Sequence, residues 1–402
     1  MRSTVSPHDW PVDGLTTRLR ASPVPGPIAF VAVGALLAVV APQLRPAVTP
    51  DLVLVVLLPG LVFEAAYHLH WEELRRAYGW IAFLAVPGVL VSAAIVALVL
   101  DRAIGLRLDL AFVVGAMVSA TDPAAVVATF TKLHAPRRLV AIVDAESLLN
   151  DGTGLVAFAV ALAAVTRGIA PGDAAWLFAL TIAGSAALGA AAGVVAALLV
   201  ARLPGRMLPA VTSLVTAYGV YVAAMAVGLS GVLATVLAGI ALGSFGRRRM
   251  DARAEAALDG LWHPLSALLN ALIFVAVGIA IAHSDTLEAL VPIAWGVVAV
   301  LLARAVVVYG LLGAGGRLLE RLRIASALPV RWLHPLFWAG LRGAVATAAA
   351  LSLPLDFPER ALLQRITFGI VVVTLVVQGG SAGWLVRRAA PTDQPAKTLR
   401  TT

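Results

Sequence analysis

The nine residues ESLLNDGTG, Glu146 to Gly154, interrupt a run from Leu139 to Thr166 that is otherwise almost wholly apolar. Taken alone they read equally well as a surface turn, since Asn-Asp-Gly is good turn chemistry. Length decides the matter. As a loop they would leave Leu139–Ala145 too short to cross a bilayer and Leu155–Thr166 with only 12 residues, where a spanning helix needs ~20. As one helix bounded by Arg138 and Arg167, the segment has 28 residues and is about 42 Å long at 1.5 Å per residue. Asp151 then falls near the middle of the membrane. Glu146 and Asn150 become i,i+4 neighbours, as do Ser147 and Asp151, so oxygen-bearing side chains gather on adjacent faces.

The rest of the chain has the same character. Of its 402 residues, 60% are hydrophobic and 13% charged, about half the ~25% charged fraction of a soluble domain, and the mean hydropathy is +0.94. Twelve apolar segments follow one another: Ile28–Ala41, Leu52–Leu69, Gly79–Leu100, Leu108–Phe130, Leu139–Thr166, Ala174–Ala201, Ala210–Val227, Val232–Phe245, Leu261–Ala282, Leu287–Gly313, Leu333–Leu355 and Ala361–Val386. The first and eighth have only 14 residues and must borrow from flanks such as Pro25-Gly26-Pro27 and Leu229-Ser230-Gly231. A cleaved signal peptide is the rival for the first, but its polar leader is long for one. With a cytoplasmic N-terminus, 22 of the 30 Lys and Arg fall on the inner side, 6 on the outer side, and Arg304 and Arg342 within spans. That asymmetry follows the positive-inside rule and predicts both termini in the cytoplasm of a multi-pass cell-membrane protein. The formal charge of +8 is thereby explained by topology and does not point to nucleic acid. Cysteine is absent, which removes disulfides and thiolate metal sites.

Further polar residues sit inside these spans. SATDPAAV, Ser119 to Val126, lies near the middle of the fourth segment. Proline removes an amide donor and restrains the residue before it, so the helix is expected to break around Asp122. A simple proline kink is the commoner meaning of such a motif. A broken helix facing protein or water would instead present carbonyl oxygens and a helix N-terminus at mid-membrane, as transporters do. Glu64, in LLPGLVFEAAYHL, reads equally well as an interfacial glutamate or a functional one. In GLRGAVA, Arg342 stands beside Gly340 and Gly343. A buried arginine there needs an acidic partner, and Glu146 is the candidate. Arg304, nine residues from the cytoplasmic end of its span, is expected to snorkel to the interface. His68, His70, Glu72 and Glu73 resemble a metal cluster but are better taken as a solvated helix end. No zinc-helix, phosphate-loop or nucleophile-elbow motif occurs. An intramembrane hydrolase would have to recruit Ser119, Ser147 or Ser213.

The motifs LLPGLVFEA, SATDPAAVVATF, AESLLNDGTGLVAF, SGVLATVLAGIALG, LLNALIFVAVGI, GLRGAVATAAALSLP and VVVTLVVQG together resemble the cation/proton antiporters of the sodium/proton-exchanger branch, bacterial NhaP-like members especially. The resemblance implies an all-α integral membrane fold of about twelve transmembrane helices in inverted-topology repeats, with two crossed, partly unwound helices and a core domain beside a dimer domain. It implies a cytoplasmic segment 1–27, an exchanger domain 28–388 and a cytoplasmic tail 389–402. The implied function is exchange of a monovalent cation, Na+ with Li+ or K+ also open, for H+ by an elevator-like movement, without a cofactor beyond the transported ions. It also implies a homodimer that is not an enzyme. A K+/H+ antiporter and a passive cation channel are the alternatives.

Position by position, the family's cation ligands fall on Asp151, Asn150, Ser147, Glu64 and the main-chain oxygen of Thr121. The unwound crossing falls on Asp122, Pro123, Gly340 and Gly343, and the structural charge pair on Glu146 and Arg342. Asn150, in place of a second aspartate, resembles the electroneutral, one-for-one members. Three departures stand out. The family usually has thirteen spans, and the polar stretch before Ile28 leaves the first missing. Gly60 stands where a second proline is usual, and Asp144 stands where a small residue or glutamate is common.

Overall fold

A computed structural model describes residues 26–41, 43, 48–69, 71–122, 126–127, 130, 136–282, 286–321, 329–382 and 384. Among them there is no β-strand. Each expected apolar segment forms helix: α1 (Gly26–Val40), α2 (Leu52–His68), α3 (Tyr78–Ile104), α4 (Leu108–Met117), α5 (Arg137–Arg167), α6 (Pro171–Val200), α7 (Met207–Ala226), α8 (Gly231–Gly246), α9 (Ala252–Ile281) and α10 (Leu290–Gly313). The eleventh segment forms two half-helices, α11 (Val330–Trp338) and α12 (Ala344–Leu351), and the chain ends in α13 (Arg360–Ala382). Seven of these are long and apolar enough to cross a bilayer whole. The expected terminal segments lie outside the described residues, apart from the start of α1.

Helix ends follow local chemistry. The side chains of Ser230 and Asp251 accept from the backbone N–H three residues on, capping α8 and α9. Gly105 and Gly168 close α3 and α5 in the left-handed conformation. Pro87 sits in a wide turn of α3, where a missing amide donor would otherwise leave the ladder incomplete.

The repeats show in the packing. α1 lies along α9, and, reciprocally, α8 lies along α2. Both contacts depend on glycine. A Cβ on Gly34 would lie 2.1 Å from the Val275 carbonyl oxygen, and one on Gly243 would lie 2.2 Å from that of Tyr67. Small residues let backbones touch where lipid supplies no hydrophobic drive between helices. Counterparts stand seven segments apart. Because seven is odd, the second repeat enters the membrane from the opposite side.

The centre is the meeting of the two broken segments. After α4 the chain runs unwound through Val118–Asp122, and between α11 and α12 it is extended over Gly340–Gly343. The Asp122 N–H donates to the Leu341 carbonyl at 2.9 Å, and a Cβ on Gly343 would lie 2.4 Å from Asp122 Oδ2. The two stretches therefore cross in contact. α12 is built from small residues and is buried on every side from Ala344 to Ala350, which a helix threaded through the protein interior requires. Pro123 lies outside the described residues.

Candidate ion-binding site

The unwound stretch before Asp122 keeps the bonds of Val118 and Ser119 back to α4, but Thr121 is beyond the helical ladder, and inside a membrane its backbone groups must be satisfied by protein. α5 supplies the partners. Asn150 Oδ1 accepts from the Thr121 N–H at 3.2 Å, and Asn150 Nδ2 donates to Thr121 Oγ1 at 2.7 Å. Ser147 Oγ donates to the Thr121 carbonyl at 2.6 Å, leaving that oxygen a second lone pair. Thr153 Oγ1 donates to the Ala85 carbonyl at 2.6 Å, tying the same stretch of α5 to α3. Ser147 and Asn150, three residues apart, thus clamp the crossing to one face of α5.

Asp151 is the next residue, one turn beyond Ser147. No hydrogen bond or ion pair to its carboxylate occurs among the described residues, and it faces a cavity of ≈ 450 Å³ that Thr121, Asp122 and Ser147 also line. The cavity extends along α2, α5 and α9 past Asp144, Glu64 and Ser266 to His68. A carboxylate lining a cavity together with the hydroxyl of Ser147, the Thr121 backbone and the carboxylate of Asp122 is suited to a hard cation.

Glu64 shares the cavity but not that cluster. Its Oε1 lies 3.2 Å from His68 Nδ1 and 3.5 Å from His263 Nδ1. Asp144 lines the same cavity, two helical turns before Asp151.

The expected charge pair is corrected. Glu146 is bound by Arg304, not Arg342. Arg304 Nη1 contacts Glu146 Oε1 and Nη2 donates to Oε2 at 3.1 Å. Arg304 is 5% exposed, so it does not snorkel. Its Nε and Nη2 also donate to the Leu336 carbonyl at 3.2 and 2.7 Å. Arg342 is buried too, but its Nη1 donates to the Gly340 carbonyl at 2.6 Å, and its Nε has no hydrogen-bond partner among the described residues. Both cations thus serve the carboxyl end of α11, where the break strands carbonyl groups and the helix dipole is negative. Arg304 wins the carboxylate because α10 packs beside the break at Gly340, where a Cβ would lie 2.9 Å from Arg304 Nε.

The serines needed for hydrolysis are otherwise engaged. Ser119 Oγ donates to the Ala116 carbonyl, Ser147 to Thr121, and Ser213 to Ala210 while accepting from Trp262 Nε1. Among the described residues none of the three has a histidine partner.

Residues 11–388 match the family model of the sodium/hydrogen exchanger transmembrane domain. The chain is 34% identical over 360 residues to the low-affinity Na+/H+ antiporter NhaS1 of Synechocystis, covering 89% of this chain and 68% of that protein. It is 33% identical to the Na+/H+ antiporter NhaP of Pseudomonas aeruginosa, covering 82% of this chain and 79% of that one. The structure of the sodium proton antiporter MjNhaP1 from Methanocaldococcus jannaschii superposes with a TM-score of 0.64 over 90% of this chain and 97% of that chain, at 19% identity. At that identity the likeness is one of fold.

Proposed function

The chain belongs to the sodium/hydrogen exchanger family, and from that premise we propose that it is a secondary antiporter exchanging a monovalent cation, sodium first, for protons through Asp151. The observation that carries the proposal is the carboxylate of Asp151, without a counter-ion among the described residues, facing a cavity beside the crossing of two unwound helices. A proton and a cation cannot both neutralise one carboxylate, so they compete for it. Asn150 and Ser147 hold Thr121 in place, and Ser147, the Thr121 carbonyl and Asp151 supply oxygens to the ion. Glu64 and Asp144 stand along the approach and draw cations inward.

Coupling follows from electrostatics. A core carrying bound cation or proton at Asp151 is locally neutral and crosses. An empty, ionised core carries a penalty of about 2.5–3.5 kcal/mol for an aspartate at mid-membrane, which slows its return roughly a hundredfold. With Asn150 neutral, one charge moves each way and the exchange is electroneutral. The cavity is the cytoplasm-facing state of an elevator-like cycle in a homodimer of the cell membrane. Potassium in place of sodium is the second reading, since oxygen ligands suit both.

Asp151→Asn, which keeps size and shape, is expected to abolish sodium-driven proton movement in proteoliposomes while the protein still elutes as a folded species from detergent. Undiminished exchange by this variant would remove the assignment. Current at fixed pH would point to a channel.

A further inference from the structure

We propose that Glu64, His68 and His263 form a binding site for a divalent transition-metal ion of the zinc class at the mouth of the cavity, and that an ion held there obstructs the path to Asp151. The obstruction rests on the exchange reading above; the binding does not.

Glu64 and His68 stand one turn apart on α2, and His263 comes from α9, 195 residues away in the chain. One ligand atom of each lies within 4.8 Å of the others. Glu64 Oε1 is 3.2 Å from His68 Nδ1 and 3.5 Å from His263 Nδ1. Tetrahedral zinc holds imidazole nitrogen and carboxylate oxygen at about 2.0–2.2 Å, which puts neighbouring ligand atoms roughly 3.3–3.6 Å apart. The two contacts to Glu64, at 3.2 and 3.5 Å, lie within about 0.1 Å of that range. The imidazole rings lie nearly parallel, with centroids 4.9 Å apart and an angle of 18°.

A supporting carboxylate is present as well. Asp259 Oδ1 lies 3.2 Å from His68 Nε2, one turn before His263 on α9. An Nε2–H held by Asp259 leaves Nδ1 for the metal, the carboxylate–histidine–metal arrangement that fixes the tautomer of a ligand. Without metal, His68 Nδ1 sits 2.9 Å from the Glu64 carbonyl and donates to it; metal binding displaces that proton. Arg247, whose Nη2 is 3.9 Å from Asp259 Oδ1, opposes the ion's charge, but its guanidinium also lies over the Tyr67 ring at 4.7 Å. Two imidazoles and one carboxylate favour zinc-class ions over alkali ions, which take oxygen. The site is thus chemically distinct from that of Asp151. Glu64 and His68 line the cavity itself, so an ion bridging them to α9 sits in its mouth.

The test is calorimetric titration of Zn2+ into the purified full chain in detergent, with Co2+ absorbance as a second readout. One ion per chain is expected. His263→Ala, whose side chain is 67% exposed and lies outside the buried core, should weaken binding at least tenfold. Asp259→Asn should weaken it on the order of 10- to 100-fold, and His334→Ala should bind as the unaltered chain does. No binding, or binding unchanged by His263→Ala, overturns the site. In proteoliposomes Zn2+ should inhibit exchange by the unaltered chain and spare His263→Ala, whose exchange without metal is normal. Binding without inhibition overturns the obstruction alone. A chain that binds zinc through these residues but exchanges nothing leaves the site standing and counts against the function.

Discussion

Arg304→Met is expected to be the most damaging loss of an arginine from the membrane interior, and the structure sets its size. Glu146 is 3% exposed and Arg304 5% exposed, so deleting the cation strands a carboxylate in low dielectric, a change that costs about 3–5 kcal/mol in buried pairs. The charged donors to the Leu336 carbonyl are lost too, adding on the order of 1–3 kcal/mol. The methionine stem retains part of the packing against Gly340, which keeps the total at about 4–6 kcal/mol, a large share of the 5–15 kcal/mol by which folded proteins are typically stable. Arg342→Met removes one bond to the Gly340 carbonyl and strands no partner charge, so about 1–3 kcal/mol is expected. The double variant Glu146→Leu with Arg304→Met leaves no unpaired charge and should recover at least ~2 kcal/mol relative to the sum of the singles. The assay is the folded fraction surviving a temperature series in detergent, read by fluorescence-detected size-exclusion chromatography. Equal losses from Arg304→Met and Arg342→Met, or strict additivity in the double variant, would refute the pairing and the energetics built on it.

Gly343→Ala places a methyl 2.4 Å from Asp122 Oδ2, so the crossing must spread. A destabilisation of about 1–3 kcal/mol and at least tenfold slower exchange are expected, measured by the same chromatography and by vesicle pH dissipation. Asn150→Ala strips Thr121 of two partners and strands a buried N–H. The expected cost is about 1–3 kcal/mol, and transport should fall further than in Ser147→Ala, which loses one bond; the reverse order would count against the clamp. Exchange by the unaltered chain should be indifferent to an imposed potassium diffusion potential, whereas Asn150→Asp, with a second charge, should become sensitive. The relevant work is about 2.3 kcal/mol per charge per 100 mV. Voltage-sensitive exchange by the unaltered chain would refute the one-for-one stoichiometry.

The polar residues in the fifth segment show how much was legible beforehand. Asp151, Asn150 and Ser147 are legible because an interrupted apolar run is too short to cross unless it crosses whole, and Arg137–Arg167 is one continuous helix. The weak first and eighth segments were legible through the charge alternation they preserve. Each forms a helix crossed at glycine by a neighbour. Asp144 carried a usable signal, since a spacing of seven from Asp151 puts both on one helix face. His263 carried none. Its partners Glu64 and His68 lie on another helix, 195 or more residues away in the chain.

The arginines mark the limit. By itself the sequence determined twelve apolar segments and the breaks in the fourth and eleventh, because hydrophobic length and proline or glycine act over a few residues and need no partner. Only the tertiary structure decided which arginine neutralises Glu146, how Thr121 is gripped, and where Glu64 points. Each of those is a contest between groups distant along the chain, settled by which helices lie side by side, and in a low-dielectric interior the nearest well-oriented donor takes the charge.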